Sequence, residues 1–170
     1  MTKNFAITAL LALMALPAAA HEPREVAGGL YEIEVGWRTE PAFEDVLNNI
    51  DFFVERADGT PVSVRGGDSL DVTFEVLYLR SDAFNAQVLA RRNLGNGLIQ
   101  DFVNPSRYNL PFIPTKDGAY GFKLTGTIEG HPINETFVCE GGSQSDEEAF
   151  ACVGNAVTFP LPTWSRYTDN

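Results

Sequence analysis

The chain holds two histidines, His21 and His131, and the first stands directly after Ala18-Ala19-Ala20 at the end of a sequence that reads as an export signal. Cleavage after Ala20 would make His21 the first residue of the working protein. A free N-terminal histidine offers two ligand atoms, the α-amine and the ring Nδ1. The amine has a reference pKa near 7.7–8.0, so a metal can deprotonate it at neutral pH. Imidazole suits copper, and copper tops the affinity order at nitrogen sites. His131 would add a third nitrogen, which requires it within about 4–6 Å of His21, both rings lying near 2 Å from one ion. Glu129 would add an oxygen if the chain bends at Gly130. Both methionines, Met1 and Met14, lie in the signal. No thioether is left for Cu(I), so the expected ion is Cu(II). Two plainer readings stay open. His21 is simply the residue that follows the cut, and Glu129-Gly130-His131-Pro132 is a polar turn between two strands.

The two cysteines, Cys139 and Cys152, are expected to form a disulfide in an oxidising compartment. Two thiolate metal ligands would need further Cys or His close by in sequence, and there are none. The bond would tie down the acidic, Gly/Ser-rich loop from Glu140 to Glu148. Other chemistries find little support. No Gly-x-Ser-x-Gly elbow occurs for a serine nucleophile, and disulfide-bonded cysteines cannot act as nucleophiles. Gly66-Gly67 and Gly141-Gly142 lack the strand-loop-helix setting of a phosphate loop. Paired carboxylates stay open, because 23 acidic residues always place some pair together. Asn134-Glu135-Thr136 fits a glycosylation acceptor and equally fits ordinary strand sequence.

The signal itself has three parts. Thr2, Lys3 and Asn4 open it, Phe5 to Leu16 is a predominantly apolar run of 12 residues, and Pro17 breaks the run before the small residues. Twelve residues are too few to span a bilayer, which needs roughly 20. His21 in place of Cys after the cut argues against a lipid anchor. One of the 12 basic residues, Lys3, falls in this segment, so the remainder sets 11 basic side chains against 23 acidic ones, a net charge of −12. Such a surface repels phosphate backbones and anionic membranes, which makes nucleic acid a poor partner. No second long apolar segment appears. The expected organisation is residues 1–20 as signal and 21–170 as one domain in the periplasm or outside the cell.

The elements that must position these residues read as strands. Tyr31, Ile33, Val35 and Trp37 alternate with Glu32, Glu34 and Gly36 within Gly29 to Trp37. Ile50 to Arg56 ends at the turn pair Asp58-Gly59. Leu70 to Val76 alternates most clearly. Ala86 to Arg92 and Leu98 to Val103 flank Gly95-Asn96-Gly97, which reads as a hairpin turn. Tyr108 to Ile113, Tyr120 to Ile128, Ile133 to Cys139 and Val157 to Leu161 complete eight or nine strands. Pro41 to Leu47 alone looks helical. Short strands at roughly 10-residue spacing imply a β-sandwich, with a small barrel as the alternative. Asp117-Gly118-Ala119-Tyr120 marks a tyrosine corner, in which the hydroxyl returns to an upstream backbone group. Adjacent Phe52 and Phe53 must point to opposite faces of their strand.

The stretch Tyr108…Phe112-Ile113-Pro114…Gly118-Ala119-Tyr120-Gly121-Phe122 resembles the paired strands of bacterial periplasmic copper-resistance carriers. The resemblance implies an Ig-like β-sandwich that binds Cu(II) with an N-terminal His, matched by His21, and an Asp-x-His-Pro motif. Glu129-Gly130-His131-Pro132 resembles that motif with Glu for Asp, placed after the Gly-x-Tyr-x-Phe strand. Copper polysaccharide monooxygenases also begin with His and hold copper with a later His, but they are built on larger scaffolds with long loops. The expectation is therefore an exported, non-enzymatic Cu(II) carrier or buffer using His21, His131 and Glu129. The alternative is a metal-free Ig-like module that binds another exported protein.

Overall fold

The computed structural model describes residues 21–143 and 149–155. The expected signal, part of the acidic loop, the strand Val157–Leu161 and the C-terminal tail lie outside them. Among the described residues nine strands follow in order: β1 (His21–Val26), β2 (Tyr31–Trp37), β3 (Asn48–Arg56), β4 (Leu70–Leu79), β5 (Val88–Gly95), β6 (Ile99–Gln100), β7 (Arg107–Phe112), β8 (Tyr120–Ile128) and β9 (His131–Val138). They form two antiparallel sheets, one ordered β1-β2-β3-β7-β6 and the other β5-β4-β8-β9. The alternation read from the sequence sets the faces. Ile33, Val35 and Trp37 of β2, Phe52 and Val54 of β3, and Val72 and Phe74 of β4 are all fully buried between the sheets. Trp37 anchors this core with Phe122 at 5.0 Å and Phe112 at 6.2 Å, and its indole N–H donates to the Ala151 carbonyl.

The expected tyrosine corner is present: the Tyr120 hydroxyl donates to the Lys116 carbonyl at 2.9 Å. Cys139 and Cys152 are bonded. The bond joins the end of β9 to a returning segment whose Val153 pairs with Gly118 and whose Gly154 pairs with Phe43.

Three local expectations are corrected. Pro41 to Leu47 is not a helix but an irregular turn. Its amides are taken by distant carbonyls, Glu44 N–H by Gly154 and Asp45 N–H by Pro114, so no helical ladder forms. Gly95-Asn96-Gly97 does not close a hairpin, because β5 and β6 belong to different sheets and the segment carries the chain across. The strand expected to run to Val103 stops at Gln100. There the Asp101 carboxylate accepts the Val103 and Asn104 amides, and this local bonding displaces the ladder.

One strand carries no alternation signal at all. His21–Val26 pairs with β2 along its whole length. It is an edge strand, where Pro23 is tolerated. Arg24 pairs with Glu22 of its own strand at 2.5 Å and fastens β1 to the opposite sheet through an ion pair to Glu135 of β9 at 2.9 Å, with its guanidinium over the Phe137 ring.

Candidate functional site

The side chain of His21 lies on the outer face of the five-stranded sheet. Register places His21 beside Gly36 of β2, Gly36 beside Asp51 of β3, and Asp51 beside Asn109 of β7. Gly36 presents no side chain between its neighbours. His21 therefore reaches across β2 to Asp51, a span of two strand spacings of about 4.8 Å each. Its Nε2 lies 3.2 Å from Asp51 Oδ2, and its ring meets Phe53 edge-on at 5.3 Å. Phe52 and Phe53 do point to opposite faces: Phe52 is core, and Phe53 helps cover the histidine.

Asp51 is fully buried. Arg107 donates to it from Nε at 2.8 Å to Oδ1 and also from Nη2, and Arg38 stands at 4.0 Å. Burial pushes the Asp51 carboxyl upward, but the hydrogen bonds from His21 and Arg107 outweigh it and hold the group below its ordinary value. The carboxylate is thus ionised at neutral pH and accepts only. Nε2 of His21 must carry the proton in that contact, which leaves Nδ1 of a neutral ring with the lone pair. Glu40 also lies within electrostatic reach of His21. Burial raises its carboxyl against an amide hydrogen bond from Ala151.

His131 and Glu129 lie elsewhere. Glu129 and Gly130 occupy the two-residue turn between β8 and β9, with φ of 48° and 83°. Positive φ at both positions fits a type I′ hairpin, so the plainer reading of this motif is the one observed. Glu129 binds Arg56 with both oxygens, at 2.6 and 3.0 Å, and also accepts the Tyr31 hydroxyl at 3.0 Å. The hydrogen bond to Arg56 holds its carboxyl below the ordinary range. His131 packs its ring 5.8 Å from that of Tyr31. Tyr31 pairs with Val26 at one end of the β1–β2 ladder, and His21 with Gly36 at the other. Five residues of strand separate them, roughly 16 Å at about 3.3 Å each. The structure does not bring His131 or Glu129 to His21, and the expected spacing of about 4–6 Å is not met. Among the described residues no group of three or more His, Cys, Asp and Glu side chains is arranged to hold a metal ion.

The partners that the structure gives His21 are Asp51 and Phe53, with Gly36 as the gap it crosses and Arg107 bound to the same carboxylate. Asp51 left a trace in the sequence as an acidic residue inside the apolar run Ile50 to Val54, and Phe53 as one of two adjacent aromatics on opposite faces of a strand. No helix among the described residues is long and apolar enough to cross a membrane. No family model matches the chain, and comparison with curated proteins and solved structures finds no match.

Proposed function

We propose that this chain is exported, cut after Ala20, and binds Cu(II) as a carrier or buffer rather than as an enzyme. The observation that carries the reading is the hydrogen bond between His21 Nε2 and the buried Asp51 carboxylate. Metal-binding histidines commonly donate their second ring N–H to a carboxylate, which fixes the tautomer and ring orientation. Here that contact leaves Nδ1 available beside the α-amine that cleavage would create. Asp51 is saturated by Arg107 and serves to orient, not to ligate. The two-nitrogen chelate belongs to His21 alone, so the site differs from the His21–His131–Glu129 set expected from the sequence. A two-histidine brace of the monooxygenase kind finds no second histidine at this position.

The test is a titration of protein beginning at His21 with Cu(II) against a competing chelator, read by EPR. A stoichiometric nitrogen-rich signal is expected, abolished by His21→Ala or by one added N-terminal residue, and unchanged in His131→Ala. Binding that survives the added residue overturns the proposal, as does no binding beyond the chelator.

One observation favours the metal-free interaction module as a second reading. Phe102 and Val103 are 90% and 92% exposed at the β6–β7 turn. The turn is held rigid by Asp101, and Arg65 stacks on the Phe102 ring at 3.8 Å. A fixed apolar tip of this kind suits docking to another exported protein.

A further inference from the structure

Among the described residues the sandwich is open along one side. β6 has only two residues and pairs with Asn109 and Tyr108, so among the described residues no strand pairs with Leu110 to Phe112 on that edge. Between it and β5 lies a cleft of about 300 Å³, floored by Val76, Tyr78, Phe112 and Tyr120. That volume is at the lower end of the range for small-molecule sites. The two tyrosine hydroxyls are turned away to backbone carbonyls, Tyr78 to Asp117 and Tyr120 to Lys116. They leave ring faces as the lining.

The rim has the opposite character. Register sets Val76 opposite Arg92 and Tyr78 opposite Ala90. Directly opposed residues share a face of the sheet. Val76 is core, so Ala90 and Arg92 project on the inner side, toward the cleft. Arg91 beside them faces outward and pairs with Glu75 at 3.4 Å. Among the described residues Arg92 makes no ion pair, in a chain whose net charge is −11. A second cation stands close, with Lys116 Nζ 5.7 Å from the Tyr78 ring centre. A cleft of similar size beside Leu30, Tyr31 and His131 lacks this property, because its Arg56 is already paired with Glu129 and Asp68.

We infer that the cleft binds a small apolar carboxylate, its chain among the rings and its carboxylate on Arg92. An inward-pointing charge on an edge strand also has a plain use, to block edge-to-edge aggregation. The two roles separate experimentally. In calorimetric and methyl-NMR titrations of the purified protein, decanoate below its micellar concentration should bind one to one and shift the Val76 and Ile113 methyls. Acetate, with no chain, should not. Arg92→Gln should weaken decanoate roughly tenfold to a hundredfold, the worth of a charge-assisted hydrogen bond. Ala90→Trp, a change at an exposed position, should fill the mouth and abolish binding while the thermal midpoint holds. The inference is overturned by absence of saturable decanoate binding, by equal affinity of Arg92→Gln and the parent, or by binding only to phosphatidylglycerol vesicles.

Discussion

Replacing Asp51 with asparagine tests whether the buried carboxylate organises the outer face of the five-stranded sheet. The change keeps shape and volume and removes one charge. Asp51 accepts hydrogen bonds from His21 and, at two atoms, from Arg107. Breaking a fully buried ion pair costs about 3–5 kcal/mol. Arg107 and Arg38 keep 26% and 34% of their side-chain surface in water, so part of the stranded positive charge is rehydrated. The asparagine oxygen also still accepts one bond. A loss of about 2–3 kcal/mol at pH 7 is the expected outcome. The pH dependence separates this from a packing defect. The Asp51 carboxyl is depressed in the folded protein. Its stabilisation is therefore complete above the unfolded pKa of about 3.9 and is lost as pH falls through the lower folded value. Urea unfolding of parent and Asp51→Asn at pH 7, 4 and 2.5 should give a gap that is full at pH 7 and closes toward pH 2.5. Asp58, Asp68 and Asp101 are also depressed, but they titrate in both proteins and cancel in the difference. A gap under about 0.5 kcal/mol at pH 7, or one that stays constant with pH, would refute the reasoning.

Removing the disulfide with Cys139→Ser and Cys152→Ser together should cost about 3 kcal/mol in the chain-entropy model, read as a lowered urea midpoint that reductant no longer affects. Glu25, Glu32 and Glu55 stand directly opposite one another across β1, β2 and β3. Glu32→Lys should relieve this like-charge row and stabilise by roughly 0.5–1 kcal/mol in thermal melts, with the gain shrinking in high salt. Gly126 of β8 has φ of 146°, and a Cβ there would overlap the Asp71 carbonyl of β4. Gly126→Ala should therefore lower soluble yield and thermal midpoint severely, whereas Gly59→Ala, with open space around its Cβ position, should cost far less.

The fold was legible where burial imposes a period of two. β2, β4 and β8 alternate because one face of each meets the core, and the register of the sheets follows that alternation. The disulfide was legible because only two cysteines exist to pair. β1 was not, because its inward residues Glu22 and Arg24 are charged, pair with each other, and reach through Arg24 to Glu135 far along the chain. Gly95 to Gly97 has the composition of a hairpin turn, but composition does not specify which sheet the next strand joins. The site was half legible. The chemistry expected of His21, were cleavage to make it terminal, depends on its own atoms and so could be stated from sequence. Its surroundings depend on register, which sets Gly36 and Asp51 in line with it and sends His131 to the far end of the β1–β2 ladder.

That register also decides which copper geometry the proposed function tolerates. His21 is the first residue of an edge strand, and its bond to Asp51 and ring contact with Phe53 tie that end of β1 to β3. An ion taken through Nε2 would have to break this bond and strand Asp51 against Arg107 without its second partner. Nδ1 and the α-amine of a chain cut after Ala20 lie on the other side of the ring, where binding leaves the Nε2–H donor in place. Chelation and docking of β1 then favour the same ring orientation. A ligand that binds only the folded arrangement stabilises it in proportion to the logarithm of its concentration over its dissociation constant. Copper bound in this way should raise the unfolding midpoint of the cut protein, and Asp51→Asn should weaken the ion and the strand together.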